Sequence, residues 1–171
     1  SAVTVPVRAC IFDVYGTLFI SGSGDIGTVQ NRTKSGHVYD AFRAAGFSVS
    51  GPGLGKYAEQ LLLKAVKQEH EKRRCRGVDY PEVDILRIWS ELCRSTAKKG
   101  YISDNYDEKN LYRLAVEYET RANPVWPMGD LAQLFGRLRE DGIVTGIVSN
   151  AQFYTPLLFP ALVGASTDEL G

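Results

Sequence analysis

The most informative segment of the chain is Ala9–Phe19, with the sequence ACIFDVYGTLF. Residues 7–13 are predicted to form a buried β-strand that ends on the single carboxylate of this segment, Asp13, and a turn at Gly16 follows at once. Open α/β sheets place their reactive groups at the carboxyl ends of the strands. Asp13 stands at such an end, so we expect it to act as a nucleophile that forms an ester with the substrate, which water then cleaves.

A second segment, Gly142–Asn150 (GIVTGIVSN), repeats this design near the end of the chain. Here an apolar strand ends at the small hydroxyl residue Ser149, and Asn150 follows it. A long insert and a helix separate the two strands, and this order predicts an α/β fold with right-handed parallel connections. The two strand ends together predict an enzyme that attacks its substrate with an aspartate.

The insert between the two strands is predicted to be helical. Apolar residues recur there at helical spacing in four ranges, which predicts four amphipathic helices packed as a bundle: 34–45, 54–74, 81–98 and 107–121. Pro81 is expected to open the third of them. The glycine- and serine-rich residues 20–28 are predicted to form an irregular hinge before the bundle. Residues 123–129 lead back into a further helix over residues 130–140 and then into the second strand.

These patterns resemble the haloacid dehalogenase-like (HAD) hydrolase superfamily. The first motif of that family is an apolar strand followed by Asp-x-Asp-Gly-Thr, and this chain has Asp13-Val14-Tyr15-Gly16-Thr17. The second motif is a strand that ends in Ser or Thr, which Ser149 matches. The resemblance implies an α/β protein with a Rossmann-like core over residues 1–20 and 124–171, incomplete in this chain, and an all-α cap bundle inserted over residues 21–123.

The resemblance also implies roles for the residues of the site. Catalysis is expected to depend on Asp13 as nucleophile, on Ser149 as a donor to the substrate anion, and on Thr17 beside the nucleophile. The partner is then a small-molecule substrate. Three further residues are expected to contribute to the substrate-binding site: Tyr15, Asn150 and Gly16. Gly16 is expected to do so by allowing a tight backbone path.

Tyr15 departs from the phosphatase pattern of the family, which has a second Asp at this position as general acid and base. A phenol has an unperturbed pKa of about 10 and is poorly matched to proton transfer near neutral pH. The Asp-x-Tyr-Gly-Thr form and Asn150 resemble the 2-haloacid dehalogenase branch, whose halide leaves without a proton and which needs no metal cofactor. The alternative is a magnesium-dependent phosphatase of the same superfamily, in which Asp13 and the backbone carbonyl of Tyr15 would bind Mg²⁺.

The segment after Ser149 also departs from the family pattern. It contains no Lys or Arg, whereas the third motif of the family supplies a cation that neutralises the nucleophile and the substrate. Its only acidic residues, Asp168 and Glu169, do not follow a buried strand as those of the fourth motif do. We therefore expect a truncated chain that is inactive alone. The alternative is a catalytically incomplete domain with a binding or assembly role, as a homodimer or through an exposed sheet edge.

Composition argues against several other classes of protein. The chain has 20 Lys and Arg and 20 Asp and Glu, a formal net charge of zero, which argues against a nucleic-acid or anionic-membrane partner. No apolar run approaches the ~20 residues of a membrane-spanning helix, and a cytoplasmic location is expected. The three cysteines lack metal or redox spacing, and packing roles are expected for Cys10 and Cys93. The basic residues between positions 64 and 76, His37 and His70 are expected on solvated surfaces.

Overall fold

The computed structural model describes residues 6–22, 34–77 and 82–170. Two units can be distinguished in the chain. The first, here called the sheet unit, combines Ser1–Ile26 with Val125–Gly171, and the second, the helical unit, is Gly27–Pro124. The four strands of the described residues all lie in the sheet unit, and the four longest helices lie in the helical unit. The fold is therefore of the mixed α/β class that the sequence predicts.

Two strands that are distant in sequence form a parallel sheet in the sheet unit. β1 (Ala9–Phe12) pairs with β4 (Val144–Ile147), with Ala9 opposite Val144 and Phe12 opposite Ile147. Parallel pairing of these two segments is what the order of strand, insert, helix and strand predicts. β1 covers only four of the seven residues predicted for it, because its partner strand starts only after the turn at Gly142.

A second pair of strands is not predicted by the sequence. β2 (Phe19–Ser21) runs antiparallel to β3 (Val125–Pro127). The prediction of an irregular hinge is therefore wrong for its first two residues. Three-residue strands are too short to show an alternating pattern, and a proline inside a segment argues against a strand. The part of the predicted hinge from residue 23 onwards lies outside the described residues.

One face of the β1–β4 sheet is covered by a hydrophobic core. α5 (Leu131–Glu140) lies against β4. Phe12 and Ile147, which are paired across the two strands and point to the same face, pack against this core. Seven buried residues form it: Val14, Leu18, Phe19, Leu131, Phe135, Phe159 and Leu170.

The opposite face of the sheet is exposed. Side chains alternate between the two faces along a strand, so Ile11, Val144 and Val148 lie opposite to the core. They are 73%, 64% and 67% exposed. Parallel sheets are normally covered on both faces, and the prediction of a fully buried strand is wrong for this side. These three residues form an apolar surface that is called the bare face below.

Short elements complete the sheet unit. α5 begins directly after Asp130, which has a left-handed φ of +60° and whose side chain accepts no hydrogen bond from the helix. The chain after β4 contains a 3-10 turn and two short helices, α6 and α7: Thr155–Leu157, Leu158–Leu162 and Thr167–Leu170. The acidic residues Asp168 and Glu169 therefore lie in a short helix and not at the end of a strand.

The helical unit contains the four predicted helices. They are α1 to α4: Lys34–Ala44, Leu54–Arg74, Ile85–Lys98 and Glu108–Ala122. Three of them agree with the predicted bounds to within one residue. α3 begins four residues later than predicted, because the carboxylate of Asp84 caps it by accepting a hydrogen bond from the N–H of Arg87 at 3.0 Å. Pro81, the predicted first residue of this helix, lies outside the described residues.

Aromatic side chains fill the core of the helical unit. The ring of Trp89 is fully buried, 5.1 Å from the ring of Tyr118 and 6.4 Å from that of Phe42. Cys93 is fully buried too, and burial raises the pKa of its thiol to about 12. It is thus a packing residue, as predicted. Cys10 in β1 is only half-buried.

Predicted surface positions are only partly exposed. The basic residues of α2 are exposed, apart from Arg73, which is half-buried. His37 and His70 are also half-buried, so the prediction that both histidines lie on a solvated surface is only partly correct.

Across the residues described, no helix combines the length and the apolar character that a membrane crossing requires.

Candidate active site

Asp13 lies at the carboxyl end of β1, as its first residue beyond the strand. It is exposed, between the half-buried Phe12 and Val14, which is 1% exposed. The two apolar neighbours anchor the backbone in the core, while the carboxylate of Asp13 is open to solvent. A substrate can therefore reach this carboxylate.

A tight turn follows Asp13. The carbonyl of Val14 accepts hydrogen bonds from the N–H groups of Leu18 and Phe19, at 2.8 and 2.9 Å. Gly16 donates its N–H to the carbonyl of Phe19 at 2.8 Å and has a φ of +80°. This left-handed conformation strains any residue with a side chain. The glycine three residues after the carboxylate is thus required by the geometry of the turn.

Ser149 lies at the same edge of the sheet. The N–H of Val148 donates to the carbonyl of Phe12 at 2.9 Å, which extends the parallel pairing beyond the end of β4. In this register Asp13 is level with Val148, and Ser149 comes one residue later. Neighbouring strands lie about 4.8 Å apart, so the pairing brings both segments to one carboxyl edge. Ser149 is half-buried there and Asn150 is exposed.

Tyr15 joins the segments that follow the two strands. Its hydroxyl lies 2.9 Å from Oγ1 of Thr155, a residue that is only 3% exposed. The half-buried Tyr15 also packs against the core of the sheet unit. The phenol of Tyr15 is therefore hydrogen-bonded to a neutral hydroxyl.

Thr155 is a residue of this region that the sequence analysis misses. Pro156 directly after it marks the start of a helical turn, which is a recognisable local signal. Nothing in that signal identifies the hydroxyl of Thr155 as a partner for a residue 140 positions away. The link becomes visible only once β1 and β4 are paired.

The other predicted site residues lie in the segments that follow β1 and β4, but their side chains form no hydrogen bonds with one another. Thr17 is exposed in the turn after Asp13. Within the described residues, the side chains of Asp13, Thr17, Ser149 and Asn150 form no hydrogen bond or ion pair. The six ion pairs in that part of the chain all belong to the helical unit. The carboxylate of Asp13 therefore has no cationic partner among the residues described.

The phosphatase hypothesis requires a magnesium site at the carboxyl edge of the sheet. Mg²⁺ takes six oxygen ligands in near-ideal octahedral geometry, usually from one or two carboxylates, waters and substrate phosphate. The phosphatase hypothesis gives it the carboxylate of Asp13 and the carbonyl of Tyr15. Among residues 6–22, 34–77 and 82–170, no group of three or more His, Cys, Asp or Glu side chains is placed to hold a metal ion. The phosphatase hypothesis requires only one carboxylate, that of Asp13, so the magnesium-dependent and the metal-free alternatives both stay predictions.

Comparisons with known proteins add little to this geometry. No protein-family model matches the chain. No curated protein matches it significantly. One solved structure, described as the crystal structure analysis of a dehalogenase, aligns with 98% of this chain at 19% identity and a TM-score of 0.36. The chain spans 61% of the length of that protein. A likeness this weak does not establish a shared fold.

Proposed function

We propose that the protein is a hydrolase in which Asp13 is the nucleophile and the substrate is a 2-haloacid. The observation that carries the proposal is the exposed carboxylate of Asp13 at the carboxyl edge of the parallel β1–β4 pair. The pairing brings the segment with Ser149, whose hydroxyl can donate to a substrate carboxylate, to the same edge. Tyr15 in place of a second carboxylate favours a leaving group that needs no proton.

The proposed reaction has two steps. In the first, a carboxylate oxygen of Asp13 attacks the carbon that carries the halogen, a C–O bond forms, and the halide leaves with the electron pair of the broken bond. In the second, water attacks the carbonyl carbon of this ester. The water oxygen stays on Asp13, the 2-hydroxyacid leaves with the original carboxylate oxygen, and one proton is released. Halide, proton and hydroxyacid together balance the haloacid and water consumed.

The position of Asp13 suits this first step. The strand end and the tight turn fix the backbone of Asp13. This lowers the entropic cost of bringing its carboxylate and the substrate together. Gly16 allows the turn to close without strain. Thr17 and Asn150 are both exposed, and both are proposed to contact the substrate.

A single-turnover experiment in H₂¹⁸O tests the proposal, with the protein made from its native gene and the 171-residue chain assayed side by side. With the native-gene protein in excess over 2-chloropropanoate, we expect chloride release and ¹⁸O in the peptide that contains Asp13. The 171-residue chain, which is expected to be inactive alone, should release no chloride. The Asp13→Asn variant should release no chloride. The matched variant Asp168→Asn, which changes an exposed Asp of α7, should behave like the wild type. Label found only in the product hydroxyl, or full turnover by Asp13→Asn, would overturn the proposal.

A chelator distinguishes the proposal from the phosphatase alternative. Chloride release that survives ethylenediaminetetraacetate supports the dehalogenase chemistry, which needs no metal. Phosphate release from 4-nitrophenyl phosphate that requires added Mg²⁺ would support the magnesium-dependent phosphatase. Both reactions would need Asp13, so the chelator result, and not the Asp13→Asn variant, separates the two chemistries.

A binding or assembly role is the second candidate function, and the bare face favours it. Ile11, Val144 and Val148 expose apolar area that a parallel sheet normally buries. Exposed apolar patches on soluble proteins mark interaction sites. We propose a second copy of the chain as the occupant. Its test is the oligomeric state of the wild-type protein and of an Ile11→Lys variant.

A further inference from the structure

The helical unit contains a cleft of about 390 Å³. It is lined by residues of α2 between Leu62 and Arg74, by the first residue of α3, Ile85, and by Tyr118 of α4. Volumes of about 300–1,000 Å³ are typical of small-ligand sites. Its apolar lining comes mainly from four side chains, three of α2 and one of α3: Leu62, Leu63, Val66 and Ile85. Leu63 is 53% exposed, so an apolar group that enters the cleft would remove its surface from water.

Basic groups surround this apolar lining. Lys67, His70 and Arg74 line the cleft together with a single carboxylate, that of Glu71. Lys67 and Glu71 form an exposed ion pair at 3.9 Å, which leaves Arg74 as an uncompensated charge. The guanidinium of Arg74 forms no hydrogen bond or ion pair with any other described residue. The cleft therefore offers positive charge at the mouth of an apolar surface.

Tyr118 of α4 supplies a neutral donor on the other wall. It is half-buried, and its hydroxyl has no hydrogen-bond partner in the described part of the chain. Burial raises the pKa of Tyr118 above its ordinary value, with smaller contributions from Glu119 and Glu59. The phenol thus keeps its proton at neutral pH and can donate it in a hydrogen bond.

We propose that this cleft binds a small amphipathic anion, an apolar chain that ends in one carboxylate. The chain would cover Leu62, Leu63 and Val66, and the carboxylate would lie between Arg74 and the hydroxyl of Tyr118. The charge complementarity selects an anion over a neutral or cationic molecule of the same length. This site is formed by the helical unit alone and does not depend on Asp13 or on the proposed hydrolase activity.

Octanoate is the probe for this site, and Trp89 is a built-in reporter because its ring contacts that of Tyr118. The test uses the Trp126→Phe background, in which Trp89 is the sole tryptophan; Trp126 is 54% exposed, so its replacement should be tolerated. We expect octanoate to change the fluorescence of Trp89 saturably. Octylammonium and 1-octanol should bind at least about tenfold more weakly. Asp13→Asn should bind octanoate like the wild type, which separates this result from the hydrolase proposal.

Two matched pairs of variants locate the site. Leu63→Asp should abolish octanoate binding, whereas Leu157→Asp, at a leucine of equal exposure in the sheet unit (52%), should leave it unchanged. Arg74→Gln should weaken binding about two- to fivefold, which is the range expected for an exposed ion pair. Arg76→Gln changes an exposed arginine that does not line the cleft and should have no effect.

Three results would overturn the proposal. The first is the absence of saturable octanoate binding in the Trp126→Phe protein. The second is equal binding of octanoate and octylammonium, which would mean that apolar area alone attracts the chain. The third is an equal effect of the two variants in either matched pair. Because all four positions are exposed, circular dichroism should show that the variants are folded.

Discussion

The hydroxyl of Tyr15 lies 2.9 Å from Oγ1 of Thr155, and this hydrogen bond joins two segments that are 140 residues apart in the chain. Tyr15 follows β1, which ends at Phe12, and Thr155 follows β4, which ends at Ile147. The bond therefore ties together the backbone on both sides of the candidate active site. It fixes the loops at the carboxyl edge independently of the ladder between the strands.

Replacing Tyr15 by Phe should destabilise the sheet unit. The substitution removes one hydroxyl and leaves that of Thr155, only 3% exposed, without this partner. An unsatisfied buried hydroxyl costs about 1–3 kcal/mol. Urea unfolding followed by circular dichroism measures the change. Tyr39→Phe is the control, because the hydroxyl of Tyr39 has no partner among the described residues; an equal loss in both variants would contradict the prediction.

A double-mutant cycle isolates the bond itself. Thr155→Val removes the other partner, and the double variant with Tyr15→Phe removes both hydroxyls of this bond. We therefore expect the double variant to be less destabilised than the sum of the two single variants, by about 1 kcal/mol. Strict additivity would mean that the two hydroxyls do not interact.

The bare face predicts self-association. Ile11 and Val148 lie on the uncovered side of a parallel sheet and are 73% and 67% exposed. Ile11→Lys should lower the average mass found by sedimentation towards that of a monomer, because a charge on this surface opposes its burial against a second copy. Leu162→Lys is the control, at a leucine of α6 that is 41% exposed. A wild-type protein that is monomeric at all concentrations would exclude this mode of assembly.

Local patterns account for what the sequence predicts well. The helical spacing of apolar residues predicts the bounds of α1 to within one residue and those of α2 as the structure has them. A helix closes its hydrogen bonds within one segment, so its signal is local. Asp13 can be placed at a strand end for the same reason: an apolar run and a glycine turn lie on either side of it.

Long-range relations account for what the sequence does not predict. Ile11 and Phe12 belong to one apolar run, which gives no sign that Phe12 packs into a core while Ile11 is exposed. The bond between Tyr15 and Thr155 and the pairing of β2 with β3 likewise depend on contacts between distant segments. The late start of α3 at Ile85 depends on the cap at Asp84, a residue type that also occurs inside the predicted helices.

Two helical glycines are predicted to respond in opposite directions to alanine. A Cβ atom on Gly55 in α2 would lie 2.3 Å from the carbonyl oxygen of Ser35 in α1, so the two helices must move apart. Gly55→Ala should therefore destabilise the helical unit by about 1–3 kcal/mol. A Cβ on Gly136 in α5 has no heavy atom within 4 Å apart from its chain neighbours and the backbone of its own helix. Gly136→Ala should therefore stabilise the sheet unit by about 0.5–1 kcal/mol. Denaturant midpoints measure both; a change of the same sign would contradict the prediction.

The ion-pair network at Glu69 predicts how the stability of the helical unit depends on pH. Its carboxylate accepts a hydrogen bond from Nε of Arg73 at 3.0 Å and one from Nη2 of Arg87 at 2.6 Å, which links α2 to α3. The hydrogen bonds from Arg73 and then Arg87 lower the pKa of Glu69 below its ordinary value of 4.5. A carboxyl group with a lowered pKa in the folded state stabilises the fold above its unfolded pKa. This contribution is lost as the pH falls through the folded pKa.

Glu69→Gln should therefore lower the melting temperature at pH 7, where the wild-type carboxylate is ionised in both states. The difference between the two proteins should shrink as the pH falls below about 4, because the wild-type carboxyl then takes up a proton as well. Glu59→Gln is the control on the same helix, since Glu59 forms no ion pair with another described residue. Melting curves followed by circular dichroism between pH 3 and pH 7 measure the effect. A Glu69→Gln difference that is constant over this range would show that the carboxylate charge does not hold α2 and α3 together.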